Sequence, residues 1–358
     1  GFYWQNKILI KRLIGQPGDV IDIADDGTVN ALYGQSGYKE DGSNGQVMVR
    51  IPAFYYRVIP LKTKMSSSGR GTAILEGEWW ISDSQKEGFK IHPMFVKNGK
   101  VQDYAYIGAF EGSTYDVSAT SYNLTDAQTV DFTNDKLASV ANAHPTSGLT
   151  QTGATRAGFR KIASNRGNGW HQMDVFNMSA VQMLMAVEYC SFNSQQCIGR
   201  GLVDMSDGTG NNSAKTGSTV GNTTGRASST KVFVDGSETT QTADGKTSVN
   251  YRGIENFWGS MWTFVDGLNY HDVDASGRYC YIAKPDGTST YADDTASTYV
   301  PISFRLPTSS TYQLYLGYDE ANDFCLYPTQ TGGNENGPVG DYFYQNTGGW
   351  RVALLGGC

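Results

Sequence analysis

Residues 251–267 read Tyr-Arg-Gly-Ile-Glu-Asn-Phe-Trp-Gly-Ser-Met-Trp-Thr-Phe-Val-Asp-Gly, the densest aromatic and apolar run in a chain otherwise rich in Gly, Ser and Thr. Ile254, Phe257, Trp258, Met261, Trp262, Phe264 and Val265 need cover on both faces, so this run is expected to be the core hairpin of the fold. Gly259 interrupts it where a bend or a close backbone approach belongs.

Outward from that run, the composition is that of a strand-rich protein. The chain has 358 residues, 39% hydrophobic and 12% aromatic, enough for a substantial core in one large domain or two ordinary ones and incompatible with disorder throughout. Its 43 glycines and 22 tyrosines, with 18% charged residues, favour turns and strands over helices. A formal net charge of -7 argues against a nucleic-acid partner. No run of about 18 apolar residues occurs, so no membrane insertion is expected. The chain starts at Gly1 without a signal peptide, consistent with a fragment or a processed product.

Taken in order, residues 7–14 and 20–23 read as short strands around the Gly-Gln-Pro-Gly-Asp turn at 15–19, and Asp25-Asp26-Gly27 closes the next hairpin. Residues 1–45 form a small strand-turn module or linker, and residues 46–358 the main domain. The latter opens on a strand over 47–59, with others at 78–81, 89–91 and 103–110. Helices are expected at 155–164, with Phe159 and Ile162 inward, and at 179–189, capped by Ser179 and buried against the sheet. The polar stretch 204–250 reads as a surface insertion with a short hairpin around Val232-Phe233-Val234. Strands follow at 278–283, 312–318, 323–327, 341–344 and 349–357.

Chemistry-bearing patterns are sparse. Cys190, Cys197, Cys280, Cys325 and Cys358 form no Cys-x-x-Cys pair and read as free, mostly buried thiols. His92, His144, His171 and His271 match no metal spacing. Asp272, Asp274, Asp293 and Asp294 offer oxygens for a structural calcium ion but fit no EF-hand, so no cofactor is expected. There is no phosphate loop and no Gly-x-Ser-x-Gly elbow. Residues 11–19 resemble the lysine box of type I signal peptidases, yet no serine partner precedes Lys11, and the strand-turn-strand reading is preferred. Tyr342, Phe343, Tyr344 and Trp350 lie close together on Gly-rich sequence, which suits a binding surface and a core equally.

The order of elements, with two helices near 155–189, a polar insertion, the Trp-rich run and a last Gly-Trp-Arg-Val strand, resembles the C-type lectin fold. The branch is that of formylglycine-generating enzyme and the variable proteins of diversity-generating retroelements. Residues 49–56 (Val-Arg-Ile-Pro-Ala-Phe-Tyr-Tyr), 254–262 and 349–357 (Gly-Trp-Arg-Val-Ala-Leu-Leu-Gly-Gly) look like phrases of phage-encoded variable proteins. The resemblance implies an α+β lectin-like fold with Trp258, Gly259, Trp262 and Trp350 in its defining core. It implies a non-enzymatic protein of the phage tail, or of a bacterial surface, that recognises a host cell-surface protein or glycan. Other virion tail proteins would be partners, and a homotrimer would suit the role. Ligand contacts would come from Tyr342, Phe343, Tyr344, Trp350 and Cys358, where the family's variable segment would begin. The copper-binding cysteine pair of formylglycine-generating enzyme has no counterpart that can be assigned here, and the calcium-dependent sugar motifs of animal lectins are missing. A structural tail or head-decoration protein is the alternative, and an oxidase or peptidase a remote one.

Overall fold

The computed structural model describes residues 9–356 apart from 17, 68–69, 205–212, 220, 222, 235–236, 243, 275–276 and 347, with backbone alone at 234, 272–274 and 277. Strand makes up 36% and helix 12%, so the molecule is strand-rich with few helices, as its composition implied. Among the described residues no helix is long and apolar enough to cross a membrane.

Three antiparallel sheets carry the fold. In the first, Val20–Ile23 lies between Val29–Leu32 and Gln46–Pro52, and Tyr104–Gly108 flanks the latter. The turn at 25–27 forms as its sequence dictates, with Thr28 N donating to Asp26 Oδ1 at 2.9 Å and Gly27 at a φ of 89°. Residues 9–13, expected to be extended, are helical instead. Ile10, Leu13 and Ile14 recur at i, i+3 and i+4 and are all buried, a helical stripe that the strand reading overlooked.

The second sheet runs Pro328–Thr331, Thr311–Tyr318, Thr72–Ser82, Tyr55–Met65, Lys90–Ile91. The run 47–59, read as one strand, divides after Pro52 and feeds two sheets. Residues 323–327, also read as strand, are a turn at 323–324 followed by irregular chain at 325–327, because Asp319 accepts from Ala321 N and Asn322 N and starts the 3-10 turn Glu320–Asn322. The strand begins only at Pro328.

Thr155 caps the helix Arg156–Ser164 by accepting from Gly158 N at 3.2 Å; Ile162 is buried and Phe159 half-buried. The long helix Val175–Tyr189 starts earlier than expected. Asp174, not Ser179, is its cap, accepting from Phe176 N at 3.0 Å and Asn177 N at 2.8 Å. Ser179 is buried within the helix and donates to Phe176 O. This helix packs against both Trp262–Asp274 and Thr72–Ser82, which explains why nearly all of its residues are apolar and buried.

The stretch 251–267 is more divided than a single hairpin. Val249–Tyr251 and Ile254–Glu255 pair through a tight turn, residues 256–261 loop, and Trp262–Asp274 begins the third sheet. Gly259 makes the close approach expected of it: its φ is 76°, and a Cβ there would sit 2.7 Å from Leu202 N. Trp258 is buried and donates its indole N–H to Gly199 O at 2.9 Å. Trp262, expected in the core, is 60% exposed, because strand alternation from the buried Val265 turns it outward.

The polar stretch 204–250 forms the expected hairpin, Thr230–Val234 with Ser237–Gln241. Much of it is nevertheless interior. Thr216, Thr219, Thr230, Ser248 and Asn250 are buried. Side-chain hydrogen bonds make that tolerable: Thr216 Oγ1 reaches Val140 O at 2.8 Å and Ala143 O at 2.9 Å, and Asn250 Nδ2 donates to Thr219 Oγ1 at 2.9 Å.

Candidate ligand-binding face

The third sheet runs Tyr299–Pro301, Gly277–Ala283, Trp262–Asp274, Trp350–Gly356, with the last at its edge. Directly paired residues share a face. His271 is opposite both Tyr279 and Trp350, Asn269 opposite Tyr281 and Val352, and Phe264 opposite Leu354. On the edge strand Trp350, Val352 and Leu354 alternate onto one face, so Trp262, Phe264, Asn269, His271, Tyr279 and Tyr281 share it. The opposite face carries Val265, Cys280, Ile282 and Ala353, all buried. The first face is partly open: Trp262 is 60% and Leu354 46% exposed and Trp350, His271, Tyr279 and Tyr281 are half-buried, whereas Asn269 is buried and Phe264 packs against Phe159. Its rings form a continuous set, with centroids 4.6 Å apart for His271 and Trp350, 5.7 Å for Tyr281 and Trp350, and 6.3 Å for the stacked Tyr279 and Tyr281. The Arg305 guanidinium lies over the Tyr279 ring.

A bulge at 266–268 restores the alternation of Trp262–Asp274 against its neighbour, because Val265 and Asn269 pair with the adjacent Ala353 and Val352. Arg156, buried, holds the bulge by donating to Val265 O at 3.0 Å and Leu268 O at 2.6 Å and to the Asn269 side chain. Arg160 grips Asp266 with Nε–Oδ2 of 2.9 Å and Nη2–Oδ1 of 2.5 Å, and Gln172 Nε2 donates to the same carboxylate at 2.8 Å. Both arginines also pair with Asp293. Burial alone would raise that carboxyl, but the two guanidiniums hold it below its ordinary value. Asp293, considered above as a calcium ligand, is thus neutralised by arginine, and Asp294 is exposed. The side chains of Asp272 and Asp274 lie outside the described set. Among the described residues no group of three or more His, Cys, Asp or Glu is arranged to hold a metal ion.

The residues singled out in the sequence fall on two sheets. Trp350 belongs to the open face. Tyr342 and Phe343 form a short strand on Thr311–Tyr318, where Tyr342 is 56% exposed, meets Tyr312 edge-on at 5.3 Å and donates its hydroxyl to Ser310 O at 2.8 Å. Tyr344 is 66% exposed, Phe343 is half-buried against the core, and Cys358 lies outside the described residues. Sequence reasoning missed His271, Tyr279, Tyr281 and Arg305. The i, i+2 spacing of Tyr279 and Tyr281 was the available signal, and it counts only once Gly277–Ala283 is known to pair with Trp262–Asp274.

Beside the Trp262 end of this face opens a cleft of about 1240 Å³ lined by Phe110, Glu111, Phe257, Ser260, Trp262 and Phe264 among others. Elsewhere, His144 Nδ1 lies 2.8 Å from Ser213 Oγ. Both are buried, and Asp126 accepts from Ser213 N rather than from the imidazole, so among the described residues this pair has neither substrate access nor an orienting carboxylate. His92 is enclosed by Phe54, Tyr56, Phe95 and Phe324, and burial pushes it down to about 3. No known family model matches the chain, and no curated protein matches its sequence.

Proposed function

We propose that this chain is a non-enzymatic receptor-binding protein of the C-type lectin-like type, carried on a phage tail, that holds a host cell-surface protein or glycan on the outward face of its third sheet. The observation that carries the reading is the set of contacting rings Trp350, His271, Tyr281 and Tyr279, with the exposed Leu354 and Trp262 further along the same face, on a bulged strand fixed by Arg156 and Arg160. Rigid aromatic side chains give large contact area at small entropic cost, and a face on paired strands is pre-organised. The order of elements supports the lectin-like assignment: two helices, a polar stretch, then a long Trp-bearing strand paired with the strand Trp350–Gly356.

The test is competition. Purified protein, incubated with susceptible cells before phage carrying the same gene is added, is expected to block adsorption, and the double variant Trp350→Ala, Tyr281→Ala is expected not to. Full blocking by a folded double variant overturns the assignment to this face; no blocking by the parent overturns the receptor-binding role. A second reading, a structural tail or head-decoration protein, is favoured by one observation. Trp350–Gly356 has a single strand partner among the described residues, so a neighbouring subunit has an edge on which to add a strand.

A further inference from the structure

The cleft beside Trp262 contains a carboxylate that its surroundings leave without a cation. Glu111 is half-buried, and its Oε2 accepts from Asn256 Nδ2 at 3.0 Å and Ser260 Oγ at 2.9 Å, while Oε1 accepts from Met261 N at 3.3 Å. All three donors are neutral. No ion pair reaches Glu111 among the described residues, and Glu255, which also lines the cleft, adds to the negative potential there. The lining includes one Lys and no Arg: Lys97, exposed. A carboxylate held by neutral donors between apolar walls is complemented best by a cation. A second complement lines the same cleft: Trp262, next in the chain to the Met261 whose N–H bonds Glu111, is 60% exposed, and an indole attracts a cation to its face.

We propose that this cleft binds a small organic amine, its ammonium between the Glu111 carboxylate and the Trp262 ring and its apolar stem along Phe264 and Phe257. The site shares Trp262 and Phe264 with the outer face and differs from it in using the Glu111 carboxylate.

A proton signature distinguishes this site from a merely greasy cleft. Burial, opposed by the three donors and reinforced by Glu255, pushes the Glu111 carboxyl up to about 8. At neutral pH it is mostly protonated, so pairing with an ammonium expels that proton to the buffer. The other titratable groups lining the cleft are Lys97, Tyr106, His171, Asp174, Glu255 and Tyr291. Asp174 is engaged by the helix cap and by the Tyr291 hydroxyl at 2.7 Å.

The probe is tryptamine, with indole-3-propionate as its anionic counterpart, titrated into the full chain by calorimetry in two buffers of different ionisation enthalpy. Tryptamine is expected to bind with millimolar affinity or tighter, at least about tenfold more tightly than indole-3-propionate, with a heat that depends on the buffer. Glu111→Gln is expected to weaken tryptamine about tenfold and abolish the buffer dependence. Trp262→Ser, at an exposed position, is expected to weaken tryptamine without altering the melting temperature, and it carries the test if Glu111→Gln does not fold. Equal affinity for the two indoles, or unchanged tryptamine affinity in folded Trp262→Ser, overturns the proposal. So does an absence of tryptamine binding at about 10 mM.

Discussion

His271 faces Trp350 directly across the pairing of Trp262–Asp274 with Trp350–Gly356, their ring centroids 4.6 Å apart and their planes at 53°. A cross-strand pair at this separation is energetically coupled, and Trp350 also touches Tyr281. A double-mutant cycle over His271→Ala and Trp350→Ala, read by urea unfolding, is expected to give a coupling of about 0.5–1.5 kcal/mol. Additive single effects would mean that the two rings are neighbours without being partners.

Two tryptophans four positions apart should behave in opposite ways. Trp258 is buried and hydrogen-bonded to Gly199 O, so Trp258→Ala is expected to cost about 3–5 kcal/mol. Trp262 is 60% exposed, and Trp262→Ser is expected to change stability by only about 0.5 kcal/mol either way. Denaturant midpoints of the two variants decide this.

Arg156 ties the helix that begins with it to the bulge at 266–268, and its guanidinium has carbonyl, amide and carboxylate partners. Arg156→Met leaves Asp293 short of a cation and the two carbonyls without a donor. The expected cost is about 3–5 kcal/mol, measured by thermal or chemical unfolding. A loss below about 1 kcal/mol would show that the bulge is held by Arg160 and Asp266 alone.

Stability should peak at mildly acidic pH. Burial raises the carboxyls of Glu111 and Glu255, to about 8 and about 7, so the native state keeps protons that the unfolded chain has released. Their contribution is complete below the unfolded value near 4.5 and is lost as pH rises through the folded values. Burial alone would also raise Asp25 and Asp293, but Lys136 and Arg166, and Arg160 and Arg156, hold them low. Those two therefore stabilise above their unfolded value and lose that contribution as pH falls through the folded one. The melting temperature is expected to rise on acidification from about pH 8 to about pH 5 and to fall below about pH 4. In the variant Glu111→Gln, Glu255→Gln the upper limb should flatten.

Gly259 combines a φ of 76° with backbone contact to Leu202. Gly259→Ala meets both obstacles, and a loss of about 2–3 kcal/mol is expected. Retention of the parental melting temperature would sink the close-packing account of this loop.

Several of these features are legible in the sequence. Gly259 could be read because an aromatic run broken by glycine has few explanations, and the long helix could be read because Val181, Leu184, Met185 and Val187 leave it little polar surface. Its cap could not. Asp174 and Ser179 are both good capping residues, and only the tertiary position of the backbone chose the first. The strand read over 7–14, of which 7–8 lie outside the described residues, failed for a different reason: two apolar periods overlap in Leu-Ile-Lys-Arg-Leu-Ile, and burial of Ile10, Leu13 and Ile14 selected the helical one.

The polar stretch 204–250 misled in the same direction. Hydropathy treats Thr216, Thr219, Ser248 and Asn250 as surface residues, whereas hydrogen bonds to partners distant in the chain carry them inside.

Strand-rich character, the hairpin at 25–27, the approach at Gly259 and the placing of two helices followed from local preferences, which act over a few neighbouring residues and so are written in the order of the chain. The open aromatic face did not, since His271, Tyr281 and Trp350 become neighbours only through antiparallel register between distant segments. The neutral donors around Glu111 were decided in the same way, because a carboxyl's surroundings are set by which chain segments fold over it.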